Sequence, residues 1–323
     1  MTKRLFCAAA LCMAGMLAVS AQSVRFNNEG KLKIVQFTDI HWRAGDPATA
    51  DAAANMNRVL DEEKPDLVVY TGDVTTAKPA TEGLDKALEP VISRGVPYAI
   101  TFGNHDDEQD LTRPQLYDYV KKKQGCLDAK ADGTDFAISV TSADGKQAKA
   151  VIYVMDSNAY STIDSLKGYG WFRCDQIDWY ARKSAELTAA NGGKPLPALA
   201  FFHIPFPEYN EASTAIGNPL VGQRGEQACS PAINSGMFAA MLEAGDVMGT
   251  FVGHDHVNNY VTPWHGILLC YGQFTGGKTT YTDGKRGARV IELTEGRRGF
   301  RTWIRMSDGT VKNEVLWPED FKN

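Results

Sequence analysis

Short apolar runs alternate with helically spaced apolar residues through the first half of the chain. The runs at 32–38, 67–71 and 97–102 predict strands, and the periodic segments at 48–63 and 83–93 predict helices. Pro90 weakens the last turn of the second helix. Because strands that alternate with helices form βαβ units, polar residues directly after these strands should gather at the carboxyl edge of a sheet.

The alternation continues to about residue 257, after which short strands are joined by glycine-rich turns. Further strands are predicted at 136–141, 148–155, 198–202, 247–252, 267–271, 288–293 and 299–305, and further helices at 175–190 and 235–243. The expected fold class is α/β, a β sandwich flanked by helices. The segments 204–234 and 273–287 lack a regular pattern. The first follows His203, so it either walls a site or is a mobile surface loop.

The first 21 residues have the composition of a cleaved signal peptide. Lys3 and Arg4 precede an apolar run at 5–19, and Val19-Ser20-Ala21 fits a small-residue cleavage site. We therefore expect an exported protein, periplasmic or secreted, with a mature chain at 22–323 that forms a single domain. An uncleaved membrane anchor is the alternative, but the apolar run is short for a membrane span.

Charge and cysteine content narrow the partners. The formal net charge is −5, and removing Lys3 and Arg4 with the leader makes it −7. An acidic chain without a basic run argues against a stable nucleic-acid partner. Four of the six cysteines remain in the mature chain: Cys126, Cys174, Cys229 and Cys270. They allow three disulfide pairings, free thiols are equally open, and the oligomeric state is not determined by the sequence.

Five of the six histidines lie in short polar motifs at the ends of predicted strands. The residues in these motifs that could ligate metal are Asp39, His41, Asp73, Asn104, His203, His254 and His256. In an extended segment, residues two apart project to the same side, so the pairs 39/41 and 254/256 each present two ligands to one region. Glycines at 72, 103 and 253 allow the backbone to pass close beside these ligands.

The ordered set D-x-H, G-D, G-N-H-D, H and G-H-x-H resembles the calcineurin-like metallophosphoesterase superfamily, which includes the purple acid phosphatases. The resemblance extends over about 32–260. The segments 33–39, 63–73 and 243–258, with Gly170-Trp171 and 176–179, are similar to the Dcr2-like and purple-acid-phosphatase-29-like branch of predicted phosphohydrolases. This resemblance implies a four-layer α/β/β/α sandwich with mixed sheets, and hydrolysis of a small phosphorylated substrate.

The resemblance also implies a role for each motif residue. Asp39, His41 and His256 would hold one metal ion, Asp73 would bridge to a second, and Asn104, His203 and His254 would complete the second. A metal-bridging hydroxide would attack the phosphoester. His105 would protonate the leaving group, and Asp106 would orient His105.

One position departs from the purple enzymes, which carry a metal-binding tyrosine three residues after the bridging aspartate. Thr76 stands there, so the charge-transfer colour is not expected. The two ions could be manganese, iron or zinc, since all three suit imidazole and carboxylate ligands. Mono- and diesters both remain possible substrates. The opposing hypothesis is a metal-stabilised, non-catalytic binding protein on the same fold.

A second motif, Gly272 to Thr279, matches the phosphate-binding pattern G-x-x-x-x-G-K-T. A true P-loop leads into a helix, but the residues that follow are β-branched and turn-forming. We therefore expect this segment to line the phosphoesterase pocket, where Lys278 could touch substrate.

Overall fold

The computed structural model describes residues 24–131, 133–281 and 284–322, so the predicted leader lies outside the described residues. In chain order the strands are β1 (Lys31–Phe37), β2 (Leu67–Thr71), β3 (Tyr98–Thr101), β4 (Phe136–Thr141), β5 (Ala148–Val154), β6 (Ala198–Phe201), β7 (Val247–Val252), β8 (Val261–Trp264), β9 (Ile267–Tyr271), β10 (Gly287–Thr294), β11 (Phe300–Met306) and β12 (Val311–Trp317). The α-helices are α1 (Ala50–Glu63), α2 (Ala80–Ile92), α3 (Arg113–Val120), α4 (Cys174–Ala190), α5 (Glu208–Thr214) and α6 (Met237–Ala244). No helix in these ranges is long and apolar enough to cross a membrane.

The strands form two six-stranded mixed sheets. The first has the order β12-β11-β10-β1-β2-β3, and the second has the order β4-β5-β6-β7-β9-β8. In the first sheet β1, β2 and β3 are parallel, while β10 runs antiparallel to β1. In the second sheet β5, β6, β7 and β9 are parallel. Each sheet therefore has a block of adjacent parallel strands whose carboxyl ends share one edge.

Three apolar clusters give the molecule four layers. One cluster lies between the sheets and includes Ile34 of β1 and Phe251 of β7. A second packs the outer face of the first sheet on α1, α2 and α3, and the third packs the outer face of the second sheet on α4, α5 and α6. Burial of both faces accounts for the near-continuous apolar sequence of the parallel strands. The predicted α/β fold class, with mixed sheets in an α/β/β/α sandwich, is confirmed.

Four of the observed α-helices and strands were not predicted from the sequence: α3, α5, β8 and β12. The helix α3 begins with a capping box, in which Thr112 and Gln115 bond each other's backbone, after a polar stretch that hides its short apolar face. The helix α5 interrupts the segment 204–234, for which no regular structure was predicted. The strand β8 has only four residues and contains Pro263. The strand β12 lies at a sheet edge and is mostly exposed, which removes the alternation that marks a half-buried strand.

Two buried polar side chains join the sheets beside their carboxyl edges. Gln36 of β1 donates from Nε2 to Thr71 Oγ1 at 2.9 Å and to the carbonyl of Val252 at 3.0 Å. Arg289 of β10 is fully buried and donates to the carbonyls of Tyr271 and Asn259. Because these bonds cross between sheets, they hold the two edges in register at the place where the motif residues lie.

Candidate metal centre

The predicted ligands converge from both sheets. Those of the first sheet follow β1, β2 and β3, and those of the second follow β6 and β7, all within four residues of the strand end. All seven are buried: Asp39, His41, Asp73, Asn104, His203, His254 and His256. Buried imidazoles and carboxylates at this density require a counter-ion, a metal or extensive hydrogen bonding.

The backbone beneath the ligands is strained. Asp39, His41, Asp73 and His254 have φ of 54°, 49°, 50° and 79°, in the left-handed region that non-glycine residues rarely adopt. Each such residue costs on the order of 1–3 kcal/mol, and strain of this kind concentrates at functional sites. In this left-handed backbone conformation, the side chains that follow different strands lie close together.

Glycine is required where the metal-ligand segments touch. A Cβ on Gly72 would lie 2.5 Å from the backbone nitrogen of Gly103 and 2.6 Å from Nδ1 of His203. A Cβ on Gly103 would collide with the carboxylate of Asp73, and one on Gly253 with Thr38 and Asp39. The glycines beside the ligands therefore allow close approach, as their positions in the sequence predicted.

One group of possible ligand atoms comes from Asp39, His41, Asp73 and His256, all within 4.8 Å of one another. Nε2 of His41 lies 3.1 Å from Nε2 of His256 and 3.6 Å from Oδ2 of Asp73. Nε2 of His256 lies 3.5 Å from Oδ1 of Asp39. On its other nitrogen, His256 is 3.4 Å from the Thr280 hydroxyl, which leaves Nε2 free to face the group.

The second group consists of Asp73, His203 and His254, so Asp73 belongs to both. Among the described buried atoms, Oδ1 of Asn104 and Nε2 of both His203 and His254 have no hydrogen-bond partner. Two of these side chains are held by their other polar atom. His203 Nδ1 donates to the Thr71 carbonyl at 2.8 Å, and Asn104 Nδ2 donates to the Tyr160 hydroxyl at 3.1 Å. Buried N and O atoms without a hydrogen-bond partner have the chemistry of ligands for a divalent cation.

The pKa values of three histidines depend on burial and on Asp73. Burial lowers the pKa of His41 to about 4 and that of His254 to about 3, so both rings are neutral at pH 7, as metal ligands must be. Burial also acts to lower the pKa of His203, but the carboxylate of Asp73 at 3.3 Å outweighs it and raises the pKa to about 9. A cation entering beside His203 must therefore displace a proton.

His105 lies beside the two groups but in neither of them, among the described residues. Its side chain is 39% exposed, its ring centroid is 5.7 Å from that of His41, and its Nδ1 lies 2.7 Å from Oε2 of Glu108. Burial acts to lower the pKa of His105, but Asp73 and Glu108 raise it above the ordinary value. The ring therefore has one nitrogen held and the other available to solvent or substrate.

The contact expected between Asp106 and His105 is wrong. Asp106 is fully buried and accepts hydrogen bonds from four backbone N–H groups: those of Asp73, Val74, Thr75 and Gly103, at 2.7–3.0 Å. Residue 106 begins a 3-10 turn that carries its side chain inward, away from the His105 ring. Asp106 therefore joins the two metal-ligand segments, and Glu108 is the carboxylate that contacts His105.

Aromatic residues that the sequence analysis did not select surround the centre. Tyr281 stacks on the ring of His256 with centroids 4.5 Å apart, and its hydroxyl bonds Glu226. Tyr169 meets the ring of His254 edge-on at 4.3 Å, and Tyr160 stacks on Tyr169. These tyrosines lie in loops without motifs, so the sequence carried no signal for them. Glu108 could have been found from its i,i+3 spacing to His105.

The segment that matches the P-loop pattern lines the centre, and the next element after it among the described residues is the strand β10. Thr279 donates its hydroxyl hydrogen to the His41 carbonyl at 2.7 Å, and Gly276 packs against the backbone of Asp39. This packing agrees with the expected pocket-lining role. Lys278 itself is 69% exposed and lies 3.6 Å from Asp51, outside both ligand groups.

The four described cysteines are free thiols. Cys126 and Cys270 are buried, while Cys174 and Cys229 are exposed. Cys229 belongs to a third group of possible ligand atoms with His254 and Asp255. The segment that contains it, 204–234, therefore walls the centre, which was one of its two expected roles.

Comparison with known proteins identifies the family. The family model described as "Calcineurin-like phosphoesterase" matches residues 32–258, more than half of the chain. The chain belongs to the calcineurin-like phosphoesterase family. The expected superfamily is therefore confirmed.

Relatives of this calcineurin-like phosphoesterase carry differing names. It is 32% identical to "Probable inactive purple acid phosphatase 29" of Arabidopsis thaliana, over 96% of this chain and 92% of the relative. It is also 32% identical to "Phosphatase DCR2" of Saccharomyces cerevisiae, over 89% of this chain but only 56% of that protein. Similarity to this branch was expected from the sequence.

Solved structures share the fold of this calcineurin-like phosphoesterase. A dimetal phosphatase from Danio rerio matches with a TM-score of 0.60 at 14% identity, covering 88% of this chain and 98% of that one. The purple acid phosphatase PPD1 from yellow lupin matches with a TM-score of 0.53 at 13% identity, covering 88% and 53%. At these identities the likeness concerns the fold.

Proposed function

We propose that this protein is a metal-dependent phosphohydrolase that uses two ions. The observation that carries the proposal is Asp73, which is shared by two buried groups of possible ligands, together with His105 beside them and in neither. A protein that only needed metal for stability would not need an accessible imidazole next to the ions. Two ions with a shared carboxylate are typical of phosphoester hydrolysis.

The ligands divide between the ions as the resemblance implied. Asp39, His41 and His256 would hold the first ion, Asn104, His203 and His254 would hold the second, and Asp73 would be shared by both. Metal ions bound by these residues would supply an activated water and would neutralise charge on the phosphoryl oxygens. Manganese, iron and zinc all suit this donor set.

His105 donates a proton to the leaving oxygen. Its Nδ1 is held by Glu108 at 2.7 Å, so Nε2 is the nitrogen that faces the substrate. The carboxylates of Asp73 and Glu108 outweigh burial and raise the pKa of His105 above its ordinary value, which favours the protonated ring that a general acid needs. The backbone N–H of His105 donates to Oδ1 of Asp73 at 2.9 Å, which fixes the acid relative to the shared ligand.

The first test is hydrolysis of 4-nitrophenyl phosphate and bis(4-nitrophenyl) phosphate by protein containing manganese, iron or zinc. Asp73→Asn should abolish turnover and reduce bound metal. His265→Asn is the matched control, because His265 is exposed and has φ 46°, a conformation that asparagine tolerates. Full activity in Asp73→Asn would exclude the proposal.

A second test separates acid catalysis from metal binding. Replacing His105 with asparagine should leave metal content unchanged and slow hydrolysis of an alkyl phosphate by about 10²–10⁴-fold. The loss should be smaller for 4-nitrophenyl phosphate, whose leaving group needs little protonation. Equal losses for the two substrates would show that His105 is not the acid.

The names of three relatives favour a second candidate, a metal-stabilised binding protein without catalysis. Three Arabidopsis thaliana relatives are named "Probable inactive purple acid phosphatase", numbers 29, 14 and 28. Under this hypothesis the wild-type protein would bind two ions per chain and hydrolyse no mono-, di- or pyrophosphate. Metal analysis of the protein used in the assays distinguishes this outcome from simple loss of metal.

We also propose that the protein is exported, which rests on the composition of residues 1–21. Expression of the full chain followed by mass spectrometry of the extracytoplasmic fraction should give a mature N-terminus at Gln22. A chain that retains Met1 in the cytoplasm would contradict export. The result does not affect the catalytic proposal.

A further inference from the structure

A polar cavity of about 450 Å³ lies beside the metal centre, with His256 in its wall. We propose that this side cavity binds a second anionic group, phosphate-like in charge, on the leaving group of the substrate. This inference rests on the proposed function, because it places the scissile phosphate at the ligand groups. The other lining residues used below are Gln223, Asn259, Gln273, Lys285 and Lys312.

His256 connects the side cavity to the ligand groups. Its Nε2 faces His41 at 3.1 Å, inside the first group, while the same residue contributes to the cavity wall. The ring is held between Phe274 and Tyr281, with centroid distances of 4.9 and 4.5 Å. A phosphoester bound at the ligand groups is therefore separated from the side cavity by the width of one side chain. The volume is within the range of small-ligand pockets.

The two lysines give the side cavity its charge. In the part of the chain that the structure describes, neither Lys285 nor Lys312 forms an ion pair or a side-chain hydrogen bond, and no described lining residue carries a carboxylate. The exposed Asp308 carboxylate is bonded by Thr310, which lowers its pKa, and both lysines add to that effect. Because both lysines line the cavity and Asp308 does not, the described wall carries two ammonium groups and no carboxylate.

A third positive charge lies beneath the cavity. Arg289 is fully buried and donates to the Asn259 carbonyl at 2.8 Å, without a carboxylate partner among the described residues. Burial lowers the pKa of Arg289, although a guanidinium stays protonated at any physiological pH. A buried cation bonded only to neutral groups creates a positive potential in its low-dielectric surroundings. An anion in the cavity would partly offset that charge.

The amides of the cavity floor are already bonded to one another. Asn259 Nδ2 donates to Gln273 Oε1 at 2.9 Å, and Gln273 Nε2 donates to the Lys285 carbonyl at 2.6 Å. The backbone N–H of Gln223 donates to Asn259 Oδ1 at 2.7 Å. These bonds hold the floor rigid and leave the flexible ammonium groups to meet the ligand. The chemistry selects a compact anion over a neutral or apolar group.

The test compares three alkyl phosphates that differ at the far end of the leaving group. They are 3-hydroxypropyl phosphate, 3-carboxypropyl phosphate and 3-phosphonopropyl phosphate, whose phosphonate is not cleaved. The wild-type protein should have the lowest KM for the phosphonate. Lys285→Gln and Lys312→Gln should each raise that KM about tenfold, as expected for loss of one charge-assisted hydrogen bond.

Two controls accompany the lysine variants. The kcat and KM for 3-hydroxypropyl phosphate should not change, which shows that the variants fold and retain the metal centre. Lys146→Gln changes an exposed lysine in the turn between β4 and β5, outside the side cavity, and should affect none of the substrates. If 3-carboxypropyl phosphate had a KM as low as that of 3-phosphonopropyl phosphate, the cavity would not prefer a dianion over a monoanion. That result would contradict the proposal.

Direct binding distinguishes failure of this inference from failure of the proposed function. Propane-1,3-bisphosphonate should bind the metal-loaded protein in calorimetry, and the double variant Lys285→Gln/Lys312→Gln should weaken it at least tenfold. Hydrolysis of all three substrates with no dependence on the lysines would overturn this inference alone. Lysine-dependent binding without any hydrolysis would retain the anion site and reject the catalytic function.

Discussion

Replacing Asp106 with asparagine tests how the two metal-ligand segments are held together. Oδ1 of Asp106 accepts from the N–H groups of Val74 and Thr75 at 2.8 and 3.0 Å. Oδ2 accepts from those of Asp73 and Gly103 at 2.9 and 2.7 Å. Asparagine keeps one acceptor oxygen, so in either orientation two buried backbone donors face an NH₂ group.

The magnitude follows from that count. A buried donor left without an acceptor costs about 1–3 kcal/mol, so two of them should lower the free energy of unfolding by about 2–6 kcal/mol. Domains are typically stable by about 5–15 kcal/mol, so the loss is a large share of the total. The donors left without an acceptor belong either to Asp73 and Gly103 or to Val74 and Thr75, which follow Asp73 directly, so Asp73 should become misplaced in both orientations and metal affinity should fall.

The assay is urea denaturation of metal-free protein, so that loss of metal does not contribute to the difference. Asp106→Asn should unfold at a much lower urea concentration than the wild type with a similar slope. A loss below about 1 kcal/mol, with changes confined to the pH profile of activity, would refute this reasoning and restore the role first expected for Asp106.

Glu108→Gln is the matched carboxylate control, and its expected result is the reverse. The pair with His105 is partly exposed, so stability should change by less than about 1 kcal/mol. Burial acts to lower the pKa of His105 while Asp73 and Glu108 raise it, so removing the Glu108 charge should lower it. Since the acid must be protonated, the alkaline limb of kcat/KM should move to lower pH. An unmoved limb would show that Glu108 does not act on His105.

Three further predictions concern pH and ligand positioning. Metal binding should release protons, and metal affinity should rise as the pH approaches 9, because Asp73 raises the pKa of His203 to about 9 in the metal-free site. Calorimetry in buffers of different ionisation enthalpy measures the proton release. Burial raises the pKa of Asp128 from 3.8 to about 8, so wild-type stability should fall as pH rises between these values, by up to about 1.4 kcal/mol per unit. The variant Asp128→Asn should lack that slope in denaturation at a series of pH values. Tyr160→Phe removes the acceptor for Asn104 Nδ2 and should weaken the second metal about 10–100-fold in competition with a chelator, with little change in folding.

The fold was predictable where buried elements have a clear pattern of apolar residues in the sequence. The central parallel strands are buried on both faces, so β2, β7 and β9 were predicted with their observed bounds. Helix α2 begins at Ala80, three residues before its predicted start, because Pro79 precedes its first turn. The edge strand β12 was missed because its residues alternate only weakly between buried and exposed.

The candidate site was predictable where ligands follow strands in fixed motifs. The contacts around the ligands were not, because they depend on backbone direction over a few residues. Adjacent residues His105 and Asp106 point to opposite sides, one toward the surface and one into four buried N–H groups. Tyr281 lies in a loop without regular spacing, and Lys312 lies on the edge strand β12, far from the motifs in the sequence. The positions of both residues therefore depend on tertiary packing.

The centre also lies at the edge where the two sheets meet, and the chain segments 102–135 and 272–286 connect the sheets there. The first sheet supplies Asp39, Asp73 and Asn104, and the second supplies His203 and His254. Strained backbone at ligands from both sheets is tolerated because the apolar core between the sheets over-determines their position. Metal ions shared across this edge would therefore tie the sheets together while the core holds the ligands in strained, pre-arranged positions.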